Sequence, residues 1–184
     1  MIFTELDLAG AYVLDLERRE DERGFFARAW CANELAEHGL ETRLVQANVA
    51  FNRLKGTVRG MHMQEPPHAE VKLIRATRGA VYDVIVDVRP GSPTRGRWAG
   101  VELSAANGRA LYVPEGFAHG YQTLVDGAEL LYSTSAVYAP DSACGVRYDD
   151  PRFGIRWLLP VSRISDQDRT WPDFGPGHPA FEAR

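Results

Sequence analysis

The stretch Ala80-Val81-Tyr82-Asp83-Val84-Ile85-Val86-Asp87-Val88-Arg89 decides the fold class. In an extended chain successive side chains point to opposite sides, so Tyr82, Val84, Val86 and Val88 share one face and Asp83, Ile85 and Asp87 the other. Arg78-Gly79 reads as a turn, preceded by a further strand over 70–77. More strands are predicted at 44–52, 56–64, 97–104, 109–113, 119–124 and 129–138. Turn signals separate them: Pro90-Gly91-Ser92-Pro93, Asn107-Gly108 and Asp126-Gly127. Short strands at this spacing predict a mainly β protein, an antiparallel jelly-roll sandwich or barrel. The N-terminal segment is free to pair with the sheet or with another subunit. Helix is scarce. One short helix is predicted over 31–38, stopped by Gly39, and another over 162–169.

The chain has 184 residues, which favours a single domain spanning 1–184, with 175–184, rich in Gly and Pro, as a loose tail. The 45% hydrophobic and 25% charged shares are those of an ordinary globular protein. A formal net charge of -4 argues against a nucleic-acid surface but leaves room for a locally positive cleft that takes a small anion. Cys31 and Cys144 have no framework or metal-type spacing, which fits a reducing compartment. Residues 1–10 carry Glu5 and Asp7 and do not read as a signal peptide, and no apolar run approaches membrane-spanning length. The expected location is the cytoplasm.

Within this β framework the stretch Arg59-Gly60-Met61-His62-Met63-Gln64 carries chemistry. His62 titrates near neutrality and suits a general base, or is a satisfied core histidine. Lys72 shares parity with Ile74 and is expected to point inward, where a lysine needs a partner or a task such as holding an enolate oxygen. The other reading is a lysine snorkelling at a strand edge. Tyr132 and Tyr138 share parity on one predicted strand; a tyrosine there delivers a proton from the face opposite a base, or simply packs. Arg23, Arg59 and His119 are candidates for an anionic group such as phosphate, or solvated surface charges. Arg59 and His62 differ by three, so a regular strand puts them on opposite faces; either a bulge at Gly60 brings them together or Arg59 serves a neighbouring cleft. His62, His68, Glu70 and His119 could be assembled around a metal, but His62-Met63-Gln64 lacks the compact His-x-His pair. No GxGxxG or P-loop pattern occurs.

The ordered set of motifs resembles the dTDP-4-dehydrorhamnose 3,5-epimerase family, a cupin-type jelly-roll family acting on nucleotide-linked 4-keto sugars. It comprises Asp21-Glu22-Arg23-Gly24-Phe25-Phe26, Gln46-x-Asn48, Arg59 to Gln64, Lys72-Leu73, Asp83 to Arg89, Ser92-Pro93-Thr94, Pro114-Glu115-Gly116-Phe117-Ala118-His119-Gly120, Tyr132, Tyr138-x-Pro140, Asp149-Asp150-Pro151 and Ser165-x-x-Asp168-Arg169. The resemblance implies epimerisation at C3, C5 or both through an enolate. His62 would be the base, Asp168 its orienting carboxylate, Lys72 the oxyanion donor and Tyr132 the acid. Arg23, Gln46, Asn48, Arg59, His119 and Tyr138 would bind the nucleotide sugar. It implies no metal or redox cofactor, and a homodimer whose N-terminal strand crosses to the partner. Where the family usually carries two glutamates and a lysine, this chain has Arg28, Ala143 and Gln167. The alternatives are a 3-epimerase or a 3,4-ketoisomerase on another nucleotide sugar, and a non-catalytic or metal-binding cupin.

Overall fold

The computed structural model describes residues 1–182, with side chains through Ala180. Thirteen strands occur, in chain order β1 (Ile2–Glu5), β2 (Tyr12–Asp15), β3 (Arg19–Asp21), β4 (Gly24–Phe26), β5 (Gln46–Asn52), β6 (Val58–Gln64), β7 (Lys72–Arg78), β8 (Ala80–Asp87), β9 (Trp98–Ser104), β10 (Ala110–Val113), β11 (Phe117–Thr123), β12 (Ala128–Thr134) and β13 (Ala143–Gly145). One sheet has the order β1-β2-β10-β7-β12-β5 and the second β13-β6-β11-β8-β9, while β3 and β4 form a separate hairpin. All pairings between named strands are antiparallel among the described residues. This is the mainly β sandwich expected, and the eight predicted strands appear with ends shifted by a few residues. The four N-terminal strands and β13 were not foreseen; at three or four residues each they are too short to show a period.

Between the sheets lies a core built from Ile74, Val81, Ile85, Leu111, Tyr121 and Leu130. The alternation of β8 does not leave one side wet. Val84, Val86 and Val88 on its other face pack with Met61, Phe153 and Phe174. The chain after β13 therefore coats the outer side of the five-stranded sheet, and all seven residues of β11 are buried. The outer side of the six-stranded sheet is covered only at one end, where α1 (Ala32–Glu37) buries Leu35 against Leu14 and Tyr112. That helix ends as predicted at Gly39, which takes φ +69°. Gly39 N–H donates to Ala36 O at 2.9 Å and Leu40 N–H to Leu35 O at 3.0 Å, the paired bonds that close a helix on a left-handed glycine.

Three expectations change. The helix predicted over 162–169 shrinks to α2 (Asp166–Arg169), because Arg163 is extended, bridging Thr57 while its carbonyl accepts from Val58 N–H at 2.8 Å. The strand predicted over 129–138 stops at Thr134, whose hydroxyl donates to Ala136 O at 2.8 Å, so Tyr138 lies on a loop. The tail is held rather than loose over 175–180. His178 is buried with Nε2 2.9 Å from Gly145 O, Ala180 joins the outer core, and α3 (Pro179–Glu182) follows. Residues 183 and 184 of the expected tail lie outside the described residues. Among the described residues no helix is long and apolar enough to cross a membrane.

The bulge expected in β6 is present. His119 pairs with His62 and Tyr121 with Arg59, so two steps on β11 face three on β6. Gly60 sits there with φ +131°, and a Cβ on it would meet Gly120 Cα at 2.5 Å. We expect Gly60→Ala to lose about 2–5 kcal/mol of stability, from the left-handed backbone and the overpacked β11 together. Urea denaturation checks this; a loss within a few tenths would show that the bulge can relax.

Candidate active site

A cavity of about 440 Å³ opens between the two sheets. One wall comes from β6 and β11, which contribute Arg59, His62 and His119. The facing wall comes from β5, β7 and β12, which contribute Gln46, Asn48, Lys72 and Tyr132. Tyr138 reaches the cavity from its loop. Strand parity explains the β5 residues: Gln46, Asn48, Ala50 and Asn52 turn in, while Ala47, Val49 and Phe51 turn out. The cavity thus gathers eight of the ten candidate residues as lining.

Asp168, the ninth, stands behind His62. Its Oδ1 is 2.6 Å from His62 Nε2, and its Oδ2 accepts from Gly60 N–H at 3.2 Å. Ser165 caps α2 by accepting from Asp168 N–H at 3.0 Å, which fixes the carboxylate's backbone. Burial works to raise the Asp168 pKa, but the hydrogen bond and charge of His62, with the Gly60 N–H and Ser165, outweigh it and hold the carboxyl below its ordinary range. A proton on Nε2 directed at this carboxylate leaves the His62 lone pair on Nδ1, the arrangement a general base needs. The His62 side chain is 47% exposed, so that nitrogen is open to a ligand.

Lys72 is 7% exposed, as the parity with Ile74 predicted. Its Nζ crosses between the sheets and donates to His62 O at 3.0 Å, and it lies 3.2 Å from Glu70 Oε1. The Tyr132 phenol is raised above its ordinary pKa, first by burial and then by the charge of Glu70, with Arg59 acting the other way. It is therefore a neutral O–H at physiological pH, able to donate a proton. Tyr132 and His62 belong to opposite sheets, so a ligand in the cavity has the imidazole on one side and the phenol on the other.

The remaining polar groups are held from behind. Arg59 Nε donates to Asn52 Oδ1 at 2.9 Å, and Asn52 Nδ2 donates to the Tyr121 hydroxyl at 3.2 Å. Burial pushes the Tyr121 phenol up to about 12. His119 Nε2 is 2.8 Å from Asp83 Oδ1, and Asp83 is fully buried. Gln46 Nε2 donates to Asn48 Oδ1 at 3.1 Å, and Gln46 Oε1 accepts from Tyr138 N–H at 3.1 Å.

Arg23, the tenth, does not line this cavity. It sits on the β3–β4 hairpin with its side chain 85% exposed, and Nη2 is 2.6 Å from Asp21 Oδ2. Arg28 is likewise outside, bonded to Glu34, whereas Ala143 and Gln167 do line the cavity. Residues that the sequence reading did not single out for this role are Glu70, Cys144 and Trp171. Glu70 carried a signal, since it has the same parity as Lys72; Trp171 follows a four-residue helix in a stretch without period. Burial pushes the Cys144 thiol up to about 12, which makes it a wall and not a nucleophile. Among the described residues no group of three or more His, Cys, Asp or Glu side chains is placed to hold a metal ion.

The family model described as dTDP-4-dehydrorhamnose 3,5-epimerase matches residues 5–175. The dTDP-4-dehydrorhamnose 3,5-epimerase of Sinorhizobium fredii is 39% identical over 173 residues, which cover 94% of this chain and 89% of that one. The crystal structure of the enzyme of that name from Elizabethkingia anophelis superposes with a TM-score of 0.92 at 35% identity, covering 95% of this chain and 96% of that one. The Bacillus anthracis enzyme, solved with TDP and PPi bound, gives 0.90 at 40% identity, covering 94% and 98%.

The lowered pKa of Asp168 has a stability consequence. A carboxyl whose folded pKa lies below its unfolded value, about 3.9, stabilises the fold above that value, and the contribution disappears as pH falls through the folded pKa. Asp168→Asn lacks this titration. Its urea midpoint should fall less between pH 5 and pH 3 than that of the wild type; equal falls would mean that the carboxylate is not held low.

Proposed function

The chain belongs to the dTDP-4-dehydrorhamnose 3,5-epimerase family, and from that membership we infer that it is an isomerase inverting C3, C5 or both in a nucleotide-linked 4-keto-6-deoxy sugar. The observation that carries the reading is the two-sided cavity, with a carboxylate-backed histidine on one sheet and a neutral tyrosine on the other. A hydrogen next to a ketone is acidic because the resulting carbanion is an enolate. His62 Nδ1 removes that proton, and the C–H electron pair moves into the ring as the C4 oxygen becomes an enolate oxygen. Lys72 Nζ–H stabilises this oxygen. Tyr132 then protonates the same carbon from the opposite face, the enolate collapses to the ketone, and the centre is inverted. Asp168 orients His62 and balances the charge it acquires.

The polar lining residues Arg59, His119, Gln46 and Asn48 suit the diphosphate and base of the nucleotide. The TDP in the Bacillus anthracis relative makes the thymidine-linked sugar the first one to try. The assembly is read as a homodimer. The outer face of the six-stranded sheet leaves Val49 and Phe51 on the edge strand β5 and Leu131 on β12 exposed, and the β3–β4 hairpin presents Phe25 and Phe26, the latter 74% exposed. Such a patch calls for a partner surface. Arg23, which does not reach its own cavity, has a task if the hairpin reaches the partner's. The two free cysteines support a cytoplasmic location.

Deuterium incorporation from solvent, followed by NMR on dTDP-, GDP- and CDP-linked 4-keto-6-deoxy sugars, tests the reading and counts the centres inverted. His62→Ala should lose exchange and turnover together, by on the order of 100- to 10,000-fold. Tyr132→Phe should retain exchange at the first carbon while inverted product falls. Lys72→Ala should lose about 100- to 1,000-fold in kcat. If Tyr132→Phe loses exchange as completely as product, the tyrosine is not the second-face acid; if wild type exchanges no sugar, the epimerase reading fails.

A further inference from the structure

We propose that Glu70 is a positioning residue of this site, whose carboxylate pins the Lys72 ammonium against the backbone of His62 and keeps a fixed negative charge beside Tyr132. The proposal rests on the roles given above to Lys72 and Tyr132. Its geometry comes from two contacts of the ammonium. Lys72 Nζ lies 3.2 Å from Glu70 Oε1 and 3.0 Å from His62 O. An ammonium has three donors in a tetrahedral spread. One donor is fixed by the hydrogen bond to His62 O, the Glu70 carboxylate attracts the ammonium as an ion pair and restricts its rotation, and Lys72 borders the cavity.

Glu70 is itself held. Its Oε2 accepts from Gln64 Nε2 at 3.3 Å, and the same amide nitrogen donates to His68 O at 2.8 Å. Gln64 is buried, and its Oε1 accepts from Ala139 N–H at 2.6 Å. The carboxylate is therefore held through both oxygens, by Lys72 on one side and on the other by the Gln64 amide, which also reaches Val137 O at 3.4 Å. The pair is also dry: the side chains of Lys72 and Glu70 are 8% and 11% exposed. Solvent screening, which makes surface pairs nearly worthless, is largely removed here.

A carboxylate beside an oxyanion donor works against the chemistry only if net charge is what counts. Lys72 paired with Glu70 is close to neutral overall, yet it still presents one directed N–H. That arrangement stabilises an enolate by a hydrogen bond that is already oriented, with little reorganisation when charge develops. The same negative charge raises the Tyr132 phenol, second only to burial. The other titratable groups around the cavity are Arg59 and His62 on β6, His119 and Tyr121 on β11, Lys72 on β7 and Cys144 on β13. Of the charged groups acting on Tyr132, Arg59 lowers the phenol and Glu70 raises it.

The test reads the ammonium directly. The chain has two lysines, Lys55 and Lys72, so in lysine-15N-labelled protein a Lys55→Arg variant identifies the Lys72 signal. In Glu70→Gln, proton exchange at the Lys72 ammonium should quicken by roughly tenfold or more, as the largely buried ion pair that restrains it is lost. With 13C-labelled tyrosine, and Tyr132→Phe for assignment, the Tyr132 titration should move to lower pH. The kcat for the 4-keto sugar should fall on the order of tenfold to a hundredfold, with KM within about twofold. Glu70→Asp keeps the charge and shortens the reach. It should loosen the ammonium while leaving the Tyr132 midpoint in place, and it serves if Glu70→Gln does not fold. Unchanged ammonium exchange in these variants overturns the pin, and an unchanged Tyr132 midpoint in Glu70→Gln overturns the charge. If wild type turns over none of the sugars while both NMR shifts appear, the epimerase reading falls and the placement of Glu70 stands.

Discussion

The extra residue in β6 at Gly60 is the constraint on which the site depends. In a regular strand Arg59 and His62 would face opposite ways, one into the sandwich and one into the outer core. With three steps on β6 set against two on β11, both side chains reach the cavity. The same irregularity frees the Gly60 N–H from the ladder and turns it to Asp168 Oδ2. A single backbone feature thus sets the direction of Arg59, the direction of His62 and the anchoring of the carboxylate behind that histidine. It has to be glycine because β11 passes too close to admit a Cβ.

Rigidity at this point comes from burying the five-stranded sheet on both faces. The chain after β13 packs Phe153 and Phe174 over Val84, Val86 and Met61, and along the way it delivers α2 with Asp168 to the back of His62. The outer layer therefore has two consequences: it removes apolar surface from water, at roughly 25 cal/mol per Å², and it brings the carboxylate to the histidine. From the other sheet, Lys72 donates across the gap to His62 O. The proposed base is fixed through its ring by one sheet's covering layer and through its backbone by the opposite sheet.

What the sequence disclosed follows from which signals are local. Parity within a strand pointed Lys72 inward, and the clash of parity between Arg59 and His62 left a bulge or a second cleft as its two resolutions, of which the bulge is the one found. Parity would equally have placed Glu70 beside Lys72, had the strand reading been applied to acids as well as to bases. Signals that depend on tertiary contact did not show. Nothing in 162–165 announces that Arg163 will pair with Thr57 and unwind the predicted helix. Nothing in the Gly- and Pro-rich end announces that His178 will find Gly145 O and hold the chain down. The hairpin carrying Arg23 reads as part of the site in the motif order, yet it does not line the cavity of its own chain, because motif order carries no information about distance in space.

Two histidines paired across neighbouring strands, His62 and His119, each have a carboxylate partner, at 2.6 Å and 2.8 Å. Pairing alone therefore does not distinguish a base from a binding group. Access and the state of the carboxylate do. The His62 side chain is 47% exposed to the cavity, whereas that of His119 is 11% exposed. Asp168 has its second oxygen satisfied by Gly60 N–H, so it is stable as a spectator while the ring changes charge. Asp83 is fully buried and its Oδ2 has no hydrogen-bond partner among the described residues, so His119 is the side chain that satisfies its other oxygen. A lone buried carboxylate strongly favours keeping a donor on the histidine that faces it. That suits His119 to holding an anionic group steadily, and it leaves proton removal to His62, where the ring is open and its carboxylate is independently supported.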